Sequence, residues 1–179
     1  MGLHISLIIT RRKTPVENKN LPLFYKISAL KPMSIQKIAI GCDHAGFEMK
    51  EFLKKELSAK GYDVQDFGTH SIESVDYPDY VHPLAESIGK KENDAGILIC
   101  GSANGVAITA NKHAHIRAAL VWRNDVSALA RQHNDANVIC LPARYVTNDQ
   151  AADMVQTFLS TEFEGGRHAT RVNKIEVPC

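Results

Sequence analysis

The sequence lacks an excess of either charge, a cysteine spacing that marks a metal or disulfide framework, and any apolar run long enough to span a membrane. Lysine and arginine number 21 against 20 aspartate and glutamate. Net charge therefore marks neither nucleic acid nor an anionic membrane as a partner. The four cysteines, Cys42, Cys100, Cys140 and Cys179, include no CxxC pair, and two of them close apolar runs. Free thiols in a reducing, cytoplasmic setting fit this pattern better than disulfides. No run of about 18 or more apolar residues occurs, so no transmembrane helix is expected. His113 and His115 stand two apart, which matches no common zinc motif, and no metal or cofactor is expected. A Walker loop is missing, because no Gly-Lys-Ser/Thr follows the glycine turn at 101–105, and no GxGxxG follows the first strand.

What is present is an ordinary globular composition, 44% hydrophobic and 23% charged over 179 residues, enough for one domain with its own core. Residues 1–35 differ in character. They hold three prolines, a basic cluster at Arg11-Arg12-Lys13 and short apolar runs without period. The run LHISLIIT is too short for a secretory core. Residues 1–35 read as a disordered N-terminal extension, or as an upstream start before Met33, with the domain over 36–179.

From Lys37 onward strand-like and helix-like stretches alternate. KIAIGC (37–42), YDVQDF (62–67), AGILIC (95–100), IRAALVW (116–122) and NVICLP (137–142) read as strands. Between the first two, Met49, Phe52, Leu53 and Leu57 mark a helical face that Gly61 ends. Pro78 opens a helix to about Lys91, and another runs from the 101–105 turn to about Lys112. Asn124 or Asp125 suits the cap of a helix with Val126, Leu129, Ala130 and His133 on one face. Thr147 and Gln150 make a capping box for the next helix, and the basic segment 165–176 reads as a last one. Five apolar strands separated by helices imply a parallel sheet covered on both faces, a Rossmann-like three-layer αβα sandwich. Ligands in such folds gather at the carboxyl ends of the strands.

Chemistry-bearing residues do follow strands. Asp43 and His44, after the first, offer an acid/base pair and an anion contact; the plainer alternative is a helix cap at Asp43 beside an incidental histidine. The turn Gly101-Ser102-Ala103-Asn104-Gly105, after the third, exposes N–H groups able to hold a phosphate or an oxyanion. Those dipoles favour the thiolate of Cys100, the form that acts as a base, although cysteines closing apolar strands are commonly inert. His133 alone reads as a core histidine, but the polar cluster Asn134-Asp135-Ala136-Asn137 follows it. Arg144, Arg167 and Arg171 complete the set; Arg167 and Arg171, four apart, share a helical face and could clamp one phosphate, and a solvated basic face is the alternative.

Together GCDHAGF (41–47), DYPDYV (76–81), GILICGSANG (96–105), TANK (109–112), IRAAL (116–120), RQHNDANV (131–138) and EGGRHATRV (164–172) resemble the ribose-5-phosphate isomerase B family, which also includes the galactose-6-phosphate isomerase subunits. The resemblance runs from about residue 36 to 176. It implies an aldose–ketose isomerase that interconverts ribose 5-phosphate and ribulose 5-phosphate through a cis-enediolate, in the non-oxidative pentose phosphate pathway. It also implies a homodimer or tetramer with active sites shared between subunits. The general base falls on Cys100 and the ring-opening histidine on His133, with Asp43 as its partner in proton handling and a hydroxyl on Ser102. Phosphate contacts fall on His44, Arg144, Arg167 and Arg171, and sugar contacts on Tyr77 and Asn134; Gly101, Asn104 and Gly105 belong to the substrate-binding turn. Some members use a glutamate at the position of Val106 instead of the cysteine, and many carry glycine at the position of Ala103. Rival readings are an isomerase of allose or galactose 6-phosphate, a non-catalytic sugar-phosphate sensor, and a flavodoxin-like nucleotide-binding module. Retention of Asp43, Cys100 and His133 disfavours the sensor, and the missing GxGxxG disfavours the nucleotide module.

Overall fold

Five short apolar runs become the strands β1 (Lys37–Cys42), β2 (Asp63–Asp66), β3 (Ala95–Cys100), β4 (Ala118–Leu120) and β5 (Val138–Pro142). The computed structural model describes residues 35–175; the expected extension before residue 35, and Cys179, lie outside the described residues. The strands form one parallel sheet in the order β2-β1-β3-β5-β4. Helices α1 (Phe47–Ala59), α2 (Pro78–Gly89), α3 (Asn104–Ala110), α4 (Asn124–Asn134), α5 (Asn148–Ser160) and α6 (Gly166–Val172) connect and follow them.

The period-2 rule of strands divides the core into two layers. Ile38, Ile40, Ile97, Ile99, Ile139 and Leu141 point to one face, where α1, α4 and α5 cover them with Leu53, Ala130 and Phe158. Ala39, Leu98, Cys100, Val138 and Cys140 point to the other, under Leu84 and Ile88 of α2 and Val106 and Ala110 of α3. Every residue of β3 is buried, as a strand covered on both faces requires. This is the expected three-layer αβα sandwich. The chain leaves β1 toward one edge and β3 toward the other, so a crevice opens between their carboxyl ends.

Gly61 ends α1 with φ +88°, and the Thr147–Gln150 capping box forms in both directions, at 3.2 and 2.9 Å. Other expectations need correction. Residue Arg123, not Asn124 or Asp125, occupies the cap of α4, because Asp125 instead pairs with Arg123 and accepts from Val126 N–H. Leu129 lies 43% exposed, while Ser127 is fully buried and donates its hydroxyl to the Met154 carbonyl. Strand β4 is only three residues long, since Arg117 is held by the Asp135 carboxylate and the carbonyls of Asn134 and Asp135, and Trp122 is exposed. Helix α6 is likewise shorter than the basic segment 165–176 suggested.

One buried cation stands out in α1. Lys50 is fully buried, 2.6 Å from Asp66 and 2.8 Å from Glu51. Burial raises the Asp66 carboxyl, but hydrogen bonds from Lys50 and Lys54 outweigh it and hold the group below the ordinary carboxylate range. This network ties α1 to β2.

Candidate active site

The crevice is built first by close backbone approach. A Cβ on Gly46 would come within 2.8 Å of the Ile99 carbonyl oxygen, so only glycine lets the β1 exit lie against β3. Asp43 N–H donates to the Ile99 carbonyl at 3.3 Å, and Asp43 Oδ1 accepts from the N–H groups of Ala45 and Gly46. The cap reading of Asp43 is thus realised, and the same buried carboxylate still lines the cleft. His44 Nδ1 accepts the Val75 N–H at 3.2 Å. That bond assigns the imidazole proton to Nε2, which leaves an N–H donor beside the cleft.

The β3 exit supplies the opposite wall. Cys100 is 5% exposed at its end. Beyond it, Ala103 takes a left-handed conformation (φ +63°, ψ −11°), and the N–H groups of residues 102 to 106 donate to no group among the described residues. Such a run of unpaired N–H groups is an anion-binding concavity. Asn104 folds its amide back onto Ser102, 3.4 Å from the hydroxyl.

Two larger side chains close the cleft, each seated on a glycine. A Cβ on Gly101 would lie 3.1 Å from Arg144 Nε, and one on Gly105 would lie 2.6 Å from Tyr77 Cζ. The guanidinium and the phenol ring therefore rest directly on backbone. Arg144 N–H donates to the Gly101 carbonyl, and its guanidinium has no carboxylate partner among the described residues. The resulting space of about 250 Å³ gathers Asp43, His44, Tyr77, Cys100, Gly101, Ser102, Gly105 and Arg144. Tyr145, 75% exposed, also lines it and was not singled out from sequence; its position after Arg144 was the available signal.

The thiols differ sharply in environment. Burial pushes Cys42 up to about 12, only partly offset by Lys50, and burial raises fully enclosed Cys140 as well. Cys42 and Cys140 are enclosed in the core, whereas Cys100 is the described thiol that lines the cleft.

His133, Asn134, Arg167 and Arg171 are not brought to this cleft. Helix α4 runs antiparallel to the strands and ends where β5 begins, so His133 and Asn134 lie at the amino end of the sheet. His133 is no core histidine either, being 37% exposed and stacked on His168 at 4.1 Å and 3°. Burial, then His133 and Arg167, press the His168 imidazole below its ordinary value. Arg167 Nε donates to His168 Nε2, and Arg171 is exposed without an ion pair among the described residues. Glu164 and His168, which complete this second cluster, were not singled out from sequence either, since their distance from His133 along the chain hides the contact.

The model of the family described as Ribose/Galactose Isomerase matches residues 38–175. Ribose-5-phosphate isomerase B of Escherichia coli is 43% identical over 141 residues, covering 79% of this chain and 95% of that protein. The crystal structure of a ribose 5-phosphate isomerase from Thermotoga maritima is similar with a TM-score of 0.77 and 51% identity, covering 78% of this chain and 97% of that one. The ribose-5-phosphate isomerase B of Mycoplasma genitalium with bound ribulose-5-phosphate has a TM-score of 0.76 and 42% identity, covering 80% and 95%. With the matched span running from β1 past α6, the chain belongs to the ribose/galactose isomerase family of enzymes.

Proposed function

We propose that the chain interconverts ribose 5-phosphate and ribulose 5-phosphate through a cis-enediolate, without metal or cofactor, in the non-oxidative pentose phosphate pathway. The observation that carries this reading is one cleft joining a thiol, a row of unpaired N–H groups and the cationic Arg144. The Cys100 thiolate takes the proton from carbon 2 of the open-chain aldose, and negative charge moves to the carbonyl oxygen. The N–H groups after residue 101 and the Ser102 hydroxyl stabilise that oxyanion, where losing one such donor costs about 3 kcal/mol. The thiol then returns the proton to carbon 1, while the proton on oxygen 2 passes to oxygen 1. His44 Nε2–H and Arg144 hold the phosphate, with Tyr77 against the sugar.

The site is completed by a second copy. His133 and Cys100 lie at opposite ends of the sheet, and the strand between those ends, β5, has five residues. At about 3.3 Å per residue that is about 16 Å, beyond the reach of one imidazole. Beside the cleft, Leu120, Trp122, Pro142 and Tyr145 line a hollow, and Trp122 is 53% exposed. This apolar surface suits a second copy of the chain in a homodimer. That copy would bring His133 of the partner subunit to open the furanose ring, Arg167 and Arg171 of the partner subunit to the phosphate, and Asn134 of the partner subunit to the sugar. Free, buried thiols suit the reducing cytoplasm.

The names of the relatives favour the pentose over a hexose 6-phosphate. The test is ketose formation by the purified protein from ribose 5-phosphate and from allose 6-phosphate. A higher kcat/KM for the pentose is expected; a higher value for the hexose overturns the substrate assignment.

A further inference from the structure

We propose that His133, Glu164 and His168 form a divalent metal site of the zinc type, and that filling it withdraws His133 from the reaction. Glu164 Oε2 lies 3.9 Å from His133 Nε2 and 3.6 Å from His168 Nε2, and all three ligand atoms lie within 4.8 Å of one another. A tetrahedral ion with bonds of about 2.1 Å separates its ligands by about 3.4 Å, so the three atoms already lie near that spacing, and binding requires the rings to reorient. Two imidazoles and one carboxylate, with a fourth position open to solvent, form a ligand set that zinc accepts.

The hydrogen bonds point the same way. His168 Nε2 accepts from Arg167 Nε at 3.3 Å, so this nitrogen carries a lone pair, and Glu164 Oε2 lies 3.6 Å from it. Glu164 N–H donates to the Gln132 carbonyl of α4, which keeps its carboxylate beside both rings, and half-exposed His133 must turn out of its parallel stack on His168 for both imidazoles to reach one ion. Exposed Arg167 is free to swing away from His168 when an ion enters. Bound metal takes the Nε2 lone pair of His133, which then cannot move the ring-opening proton. This inhibitory half rests on the role proposed above for His133; the binding half does not.

The experiment uses the full chain, treated with chelator and titrated with Co²⁺ alone. The expected result is a visible d–d spectrum of nitrogen and oxygen coordination, without a thiolate charge-transfer band, displaced by Zn²⁺. Glu164→Gln and His168→Gln should each weaken binding by at least about tenfold, the smallest loss that even outer-shell changes produce. Glu164 is exposed, so its variant tests the site even if His168→Gln disturbs α6. A flat spectrum, a thiolate band, or undiminished binding by Glu164→Gln overturns the site. In parallel, Zn²⁺ should inhibit isomerisation reversibly as the site fills, and Glu164→Gln should need at least about tenfold more zinc. Full activity with the site filled overturns the inhibitory half and counts against His133 as the ring-opening group, while the spectrum still stands.

Discussion

Two inactive proteins should make an active one when their subunits mix. Cys100→Ala removes the proposed base, and His133→Asn removes the proposed ring-opening group. Each change alone should lower turnover on ribose 5-phosphate by at least about a hundredfold, the scale of acid–base catalysis. In one protomer these residues sit at opposite ends of the sheet, so under the proposed shared site each active site draws Cys100 from one copy and His133 from the other. In a two-fold dimer of one of each variant, one site then carries both lesions and the other carries neither. Random exchange of an equal mixture makes roughly half the dimers mixed, each with one sound site of two, so about a quarter of parental activity should return. The assay is ketose formation after subunit exchange, with differently tagged subunits to isolate the mixed dimer, which should reach about half. A mixed dimer no more active than either variant would refute the shared site. Near-parental activity of Cys100→Ala alone would refute the base and leave Asp43 as the next group to test.

Iodoacetamide should inactivate the enzyme by alkylating Cys100, with ribose 5-phosphate protecting; mass spectrometry should find Cys42 and Cys140 unmodified, since burial raises both thiols. EDTA should leave activity intact, and loss restored by a divalent cation would contradict the metal-free mechanism. Asp66→Asn should cost about 3 kcal/mol in urea unfolding, because it strips a fully buried lysine of its closest carboxylate. Asp66 has a depressed folded-state value, so its contribution is present above the unfolded value of about 3.9 and is lost as pH falls through the folded one. The variant should accordingly lose less stability than the parent between neutral pH and pH 3, and equal acid losses would refute the linkage.

Much of the fold was legible because its strands are extreme. KIAIGC and AGILIC match β1 and β3 residue for residue, and parallel strands covered on both faces leave little ambiguity. The edge was less legible. IRAALVW is apolar enough for a longer strand, but Arg117 turns to the end of α4 and Trp122 faces outward. The apparent α4 stripe misled because Leu129 is exposed, while Ser127 is buried through one hydrogen bond that hydropathy does not register. At the site, residues following β1 and β3 were legible from strand order alone. Arg144 follows β5 and joins them by register, since Cys100 pairs with Pro142. Spacing drew attention to His133, Arg167 and Arg171 but not to their place at the far end of the sheet, which no periodicity reveals; their expected roles came from the resemblance.

One break in local preference falls in the turn that follows β3 and borders the cleft. Ala103 holds φ +63°, which costs an L-residue about 1 kcal/mol or more relative to glycine. Its side chain is fully buried among the α2 and α3 residues, so packing holds the backbone where propensity opposes it. A left-handed residue between Ser102 and Asn104 turns the chain sharply, and the N–H groups of residues 102 to 106 stay out of any hydrogen-bond ladder among the described residues. Glycine at this position would remove the strain but also the buried methyl, and would widen the conformations open to the loop. Alanine therefore exchanges some stability for a more rigid turn, and a rigid turn is what the proposed oxyanion role, catalysis by preorganised dipoles, would favour.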